Sequence, residues 1–169
     1  MNCCSKILFY KSLISPHVDY CSTILFLFSD AQLNEIQKIQ NRSMRLILKM
    51  DNRTHINDML DMLQWLSIKQ RIYANTLKFI HRIVNGEVPL GLQRQLTLRH
   101  NAHTHNLRNN NEYQLNNCRT SFAQNSLLHN GLRIYNEFKK ANAQQFAQWS
   151  NKKIRKEIIN YVKIKFTRE

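Results

Sequence analysis

The chain has 169 residues, with 25 Lys or Arg against 11 Asp or Glu and a formal charge of +14. Gly and Pro are scarce, at three and two, while Leu, Ile, Gln, Asn, Lys and Arg dominate. That composition predicts an all-α fold with enough chain for a hydrophobic core. The four cysteines, Cys3, Cys4, Cys21 and Cys118, have no paired spacing and no secretory leader before them, which speaks against a disulfide framework and for a reducing, intracellular setting in nucleus or cytoplasm.

The positive charge is not confined to one tail. Residues 1 to 100 hold 13 Lys or Arg and 7 acids, and residues 101 to 169 hold 12 and 4. Such a balance favours polyanionic partners, nucleic acid or an anionic surface, through counterion release and long-range attraction. A merely basic soluble protein is the alternative. Cys3 and Cys4 are read as buried or incidental thiols rather than acylation sites.

The first predicted elements lie in the apolar stretch Ile7 to Phe28. Lys11, His17 and Asp19 interrupt it, and its longest uncharged run, Tyr20 to Ser29, is about half of the ~20 residues a spanning helix needs. It is read as two short, deeply buried helices meeting at Ser15-Pro16, not as a membrane span. Ser29-Asp30-Ala31-Gln32 then has capping-box form and predicts the start of a long helix. On that helix Leu33, Ile36, Met44, Ile47, Leu48 and Met50 share one side, while Lys38, Arg42, Arg45 and Lys49 cluster roughly opposite.

A stripe of four cations at 4, 3, 4 spacing repels itself unless an anion is near, and a phosphate backbone would supply one. A solvated helix face beside Asp30 and Glu35 is the competing interpretation. Next, Thr54 is the expected cap of a helix carrying Ile56, Met59, Leu60 and Leu63, with Trp65 and Leu66 as core anchors. Ser67-Ile68-Lys69-Gln70 repeats the capping-box form. It opens a helix that turns Ile68, Ile72, Phe79 and Ile83 inward and Arg71, Lys78 and Arg82 outward, with Asn85-Gly86 as its stop.

Residues 97 to 120 are polar, dense in Asn and His, and without helical period, which predicts a long loop or extended arm. A zinc site from His100, His103, His105 and Cys118 is disfavoured, because H-x2-H-x-H with one distant Cys lacks a second paired ligand set. Helical pattern returns at Gln124 to Lys140, with Leu127, Leu128, Leu132, Tyr135 and Phe138 as the apolar face and Gly131 as a weak point. Ser150 is the expected cap of a last helix. Ile154, Ile158, Ile159 and Val162 point inward on it, and Lys152, Lys153, Arg155, Lys156, Lys163 and Lys165 suggest a flexible nucleic-acid arm.

No catalytic constellation emerges, and no cofactor or metal is expected. Asp58 and Asp61 read as a helix's polar face, and there is neither a Gly-rich phosphate loop nor a G-x-S-x-G motif. Cys21 with His17 and Asp19 could be imagined as a nucleophile and base, but the apolar surroundings favour core residues.

Several segments together, "LFYKSLISPHVDYCSTILF", "LNEIQKIQNRSMRLILKM", "RTHINDMLDMLQWLSIKQR", "FIHRIVNGEVP" and "NSLLHNGLRIYNEF", resemble the region after the palm in reverse transcriptases of non-LTR retrotransposons of the jockey and CR1 type. The resemblance covers about residues 6 to 140. It implies a thumb-like helical bundle over residues 1–90, a polar loop or arm over 91–120 and a basic helical extension over 121–169. The implied function is a grip on the template-primer backbone. The palm with its Y-x-D-D carboxylates has no counterpart here, so the chain is not expected to be an enzyme on its own.

On that basis Lys38, Arg42, Arg45 and Lys49, then Arg71, Lys78 and Arg82, are the expected phosphate contacts, and Trp65, Leu66, Ile36 and Ile47 the bundle core. The expected partner is the backbone of RNA or DNA, with a palm domain in trans as a further candidate through residues 7 to 28, whose apolar surface would be partly exposed in isolation. A helical protein-interaction module, or a relic of a mobile element without function, is the alternative.

Overall fold

Asn2 accepts the Cys3 amide at 2.7 Å and so caps α1 (Cys3–Phe9). The sequence predicts a break at Pro16, yet the chain stays helical through it. A π-helical turn (Tyr10–Ile14) comes first, closed by the Ser15 N–H on the Tyr10 carbonyl, and α2 (Ser15–Asp19) follows with Pro16 in its first turn. Proline has no amide to satisfy and is tolerated at a helix start, and the wider turn supplies one. A 3-10 turn (Ser22–Leu27) completes the segment. The computed structural model describes residues 2–20, 22–99, 111–146 and 149–167 and is all-α.

Deep burial of this segment is not what forms. Tyr10, Ser15 and Ser22 are buried, whereas Leu8, Phe9, Leu13, Tyr20, Ile24, Leu27 and Phe28 are exposed. Too few neighbours surround so apolar a stretch, and the surplus stays at the surface. No helix among the described residues is long and apolar enough to cross a membrane.

Helix α3 (Asp30–Leu48) begins with the predicted capping box, the Ser29 side chain accepting the Gln32 amide and Gln32 accepting the Ser29 amide at 2.9 Å. It ends one residue earlier than the cation stripe requires, because Lys49 turns left-handed at φ 56° as the C-cap. The cap of α4 (Ile56–Leu63) is His55, whose Nδ1 accepts the Asn57 amide, and not Thr54, whose hydroxyl instead meets the Met50 sulfur. The second capping box is present. Ser67 and Gln70 exchange both bonds at 3.0 and 3.3 Å at the head of α5 (Ile68–Val84), and Gly86 at φ +74° follows its end, where a side chain would be strained.

The chain divides into two compact units, Met1–Tyr73 and Ala74–Glu169, the division falling inside α5. The core of the first holds Tyr10, Met44, Ile47, Met59, Leu60 and Trp65, with Tyr10 and Trp65 stacked at 4.3 Å. Leu66, Ile36 and Phe79, expected inside, are only half-buried. Buried amides, not aliphatic side chains, join α3 to the start of α5. Gln37 accepts the Ile68 amide at 2.8 Å and donates to Gln40 and Asn41, while Gln40 donates to the Leu66 carbonyl at 2.9 Å. Low dielectric strengthens such a chain when each member is paired.

In the second unit a short helix, α6 (Leu90–Gln93), precedes the polar segment. Residues 100–110 of the predicted loop lie outside the described residues; on either side of them Leu98 and Tyr113 form an isolated antiparallel bridge, and buried Asn136 grips Tyr113, accepting from its N–H at 3.0 Å and donating to its carbonyl at 2.9 Å. The predicted continuous helix over Gln124 to Lys140 is divided. α7 (Ser121–Gln124) and a π-helical turn (Leu127–Gly131) precede α8 (Leu132–Ala141), followed by α9 (Ala143–Phe146). Gly131 is buried where a Cβ would come within 3.3 Å of Ile80, so its lack of a side chain permits that approach.

The last helix, α10 (Asn151–Thr167), starts at Ser150 as predicted, with the Lys153 amide on its hydroxyl. It is docked and not a free arm. Ile154, Ile158 and Val162 are buried, Ile159 half-buried, and each of three acids is clamped by two cations: Glu87 by Arg82 and Arg155, Glu112 by Arg99 and Lys140, Glu137 by Arg133 and Lys165. Burial raises the Glu137 carboxyl, but Lys165 and Arg133 outweigh it and hold the group below its usual value. His81 lies buried between Tyr135, at 3.1 Å from Nδ1, and Asn85, at 2.9 Å from Nε2. Desolvation lowers its affinity for a second proton.

Candidate nucleic-acid interface

Of the seven cations expected from sequence, Lys38, Arg42, Arg45, Lys49 and Arg71 belong to the first unit and Lys78 and Arg82 to the second. On α3, burial of Gln40, Asn41, Met44 and Ile47 turns Lys38 and Arg42 outward, where they share the face with Ile39 and Leu46, 51% and 66% exposed. Lys38 is already met by Glu35 at 2.6 Å, an exposed pair worth little to stability but enough to offset its charge. Arg42 and Lys49 are exposed and have no ion-pair partner among the described residues. Arg45 sits on the flank of the helix, half-buried, with its Nε buried and lacking an acceptor.

Arg71 is mostly buried. Its side chain is 15% exposed, donates to Ser15 Oγ at 2.7 Å and lies 3.8 Å from Asp19. Ser15 in turn donates to Asp19 at 2.9 Å. Burial raises the nearby Tyr10 phenol, with Arg71 opposing. The guanidinium therefore fastens α2 to α5. Lys78 is half-buried and engaged, and Arg82 stands 3.6 Å from Glu87.

What sequence reading missed is a concavity of about 570 Å³ in the first unit. The side of α3, the link 52–55 and the first turns of α4 and α5 surround it, and Arg45, Arg53 and Lys69 bring cations to its wall. Lys69 is paired with Asp30 at 2.6 Å, both largely exposed. Arg53 is exposed without an ion-pair partner among the described residues. No Asp or Glu lines the cleft. The only hint in the sequence was Arg53 in a polar turn beside His55, a weak signal because it names no partner.

Among the described residues no group of three or more His, Cys, Asp or Glu is placed to hold a metal ion, and Asp58 and Asp61 are both exposed. His100, His103 and His105 of the disfavoured zinc set, and Cys21 of the nucleophile pair, lie outside the described residues. Cys118 is half-buried and directs its thiol to the Asn116 carbonyl at 3.5 Å. No family model, curated protein or solved structure matches the chain.

Proposed function

We propose that this chain is a thumb-like module that grips a nucleic-acid backbone without reading sequence, similar to the region behind the palm of a non-LTR retrotransposon reverse transcriptase and without catalysis of its own. The observation that carries this reading is the pair of exposed cations at the C-terminal end of α3, Arg42 and Lys49, which have no ion-pair partner among the described residues. A solvent-exposed cation without a carboxylate retains its full attraction for phosphate, and the +14 balance draws such a ligand from a distance.

The test is equilibrium binding of a fluorescent RNA–DNA hybrid across a salt series, for the full chain and for R42E/K49E. Both side chains are exposed, so the fold should be retained, as circular dichroism would show. Wild type should bind with a steep salt dependence, and the variant should bind more weakly, with the log–log slope flatter by about two. Absence of binding at low salt, or an unchanged variant, would overturn the assignment.

A second reading, docking to a palm domain in trans, is favoured by the exposed apolar side chains of Leu8, Phe9 and Leu13 on the first helical segment. Co-expression with the palm of a related element should give a complex that L8D/L13D dissolves while leaving nucleic-acid affinity alone. Equal recovery of the complex with wild type and variant would exclude that surface.

A further inference from the structure

We infer that the cleft of the first unit is a single-nucleotide pocket, taking one unpaired nucleotide of an RNA or DNA strand with its phosphate on Arg45 and Arg53. This inference rests on the backbone-gripping reading and adds a strand preference to it. The size carries the first step. A concavity of about 570 Å³ is in the range that encloses one small-molecule-sized ligand. A double helix is too wide to enter it, whereas a strand end or an extruded nucleotide can.

The wall chemistry carries the second step. Arg45 comes from α3, Arg53 from the link that joins α3 to α4, and Lys69 from the first turn of α5. No carboxylate lines the cleft and Lys69 is already held by Asp30, so Arg45 and Arg53 are the cations directed at an occupant. Arg45 is half-buried in this wall, which holds its guanidinium in place against the cleft. The first turns of α4 and α5 both border the space.

The remaining lining suits a base. Leu33 and Ile56 give an apolar surface, and the amides of Asn34 and Asn57 offer both donors and acceptors at the rim. Apart from the His55 imidazole no aromatic ring lines the cleft, so the base is held by apolar contact and amide hydrogen bonds, not by a stacking platform. Amides that can donate or accept fit any of the bases, which makes the pocket tolerant of sequence.

The experiment measures the affinity of the full chain for a fluorescent single-stranded oligonucleotide and for the blunt duplex of the same length, with wild type, R45Q/R53Q and the exposed single variant R53Q. Single-strand affinity should fall roughly tenfold for each charged contact removed, while duplex affinity changes by less than about threefold, the loss of general charge alone. R53Q keeps the test valid if loss of the half-buried Arg45 disturbs folding. A nucleoside monophosphate should displace the strand at concentrations where inorganic phosphate at equal ionic strength does not.

Equal losses for single strand and duplex, or no loss for single strand while duplex still binds, would overturn the pocket and leave the backbone-gripping reading standing. Displacement by inorganic phosphate as effective as by the nucleotide would also overturn it, reducing the site to an anion hole. Failure of wild type to bind either nucleic acid would instead remove the underlying reading.

Discussion

Replacing Phe138 by Ala should destabilise the second unit by about 3–5 kcal/mol. The side chain is fully buried and meets two other rings edge-to-face, Tyr161 at 5.2 Å and Phe146 at 5.9 Å. Truncation removes the transfer energy of the ring, leaves a cavity that three different helices would have to move to fill, and deletes aromatic contacts worth roughly 0.5–1.5 kcal/mol each. Because a domain of this size is stable by only about 5–15 kcal/mol, the loss is a large share of the whole. Chemical denaturation followed by far-ultraviolet circular dichroism measures it. A change below about 1 kcal/mol would mean that α8, α9 and α10 do not close around this ring.

Trp65→Ala should have a similar effect on the first unit, again about 3–5 kcal/mol. Trp65 is nearly buried, stacks on Tyr10 with 20° between the ring planes, and shares a core with Met44, Ile47, Met59 and Leu60. It follows directly from α4 through Gln64, a non-glycine C-cap at φ 53° whose strain the docked indole helps to justify. The adjacent Leu66 carbonyl receives Gln40, so loosening of the indole would also release the amide chain that positions the start of α5. Trp65→Phe retains a stacked ring and should lose less. The melting transition of the full chain and of each variant separates these outcomes, and equal stability of Trp65→Ala and wild type would refute the enclosed stack.

The helix starts were legible because the information is local. Ser29 with Gln32, and Ser67 with Gln70, each satisfy two amides within three residues, and nothing distant is needed to see that. The same holds for Gly86 and for the 3.6-residue spacing of Ile154, Ile158 and Val162. Misreadings arose where a side chain had two good local options. Thr54 and His55 could each cap α4, and the choice of His55 follows from Thr54 turning to Met50. Lys49 fitted the cation stripe on an ideal wheel, but the helix stops before it.

The candidate site was legible only in its charge. Lys38 and Glu35 were visible as an i,i+3 pair, yet which cations remain unpaired depends on acids and hydroxyls brought together by folding. Arg71 meets Ser15, 56 residues away in sequence, and Arg155 meets Glu87 across 68. Arg45 looked like one of four equals, and its position on the flank of α3 places it in the cleft with Arg53 and Lys69.

By itself, then, the sequence determined an all-α protein, three of its helix caps, the stop of α5 and a strong positive balance, since capping, periodicity and net charge are properties of neighbouring residues or of plain counting. Tertiary structure alone decided which cations became internal fasteners and which stayed unpaired, which polar amides of α3 went inside, and that a basic cleft exists between three helices. Those outcomes depend on desolvation and on partners tens of residues apart, which no short stretch of chain contains.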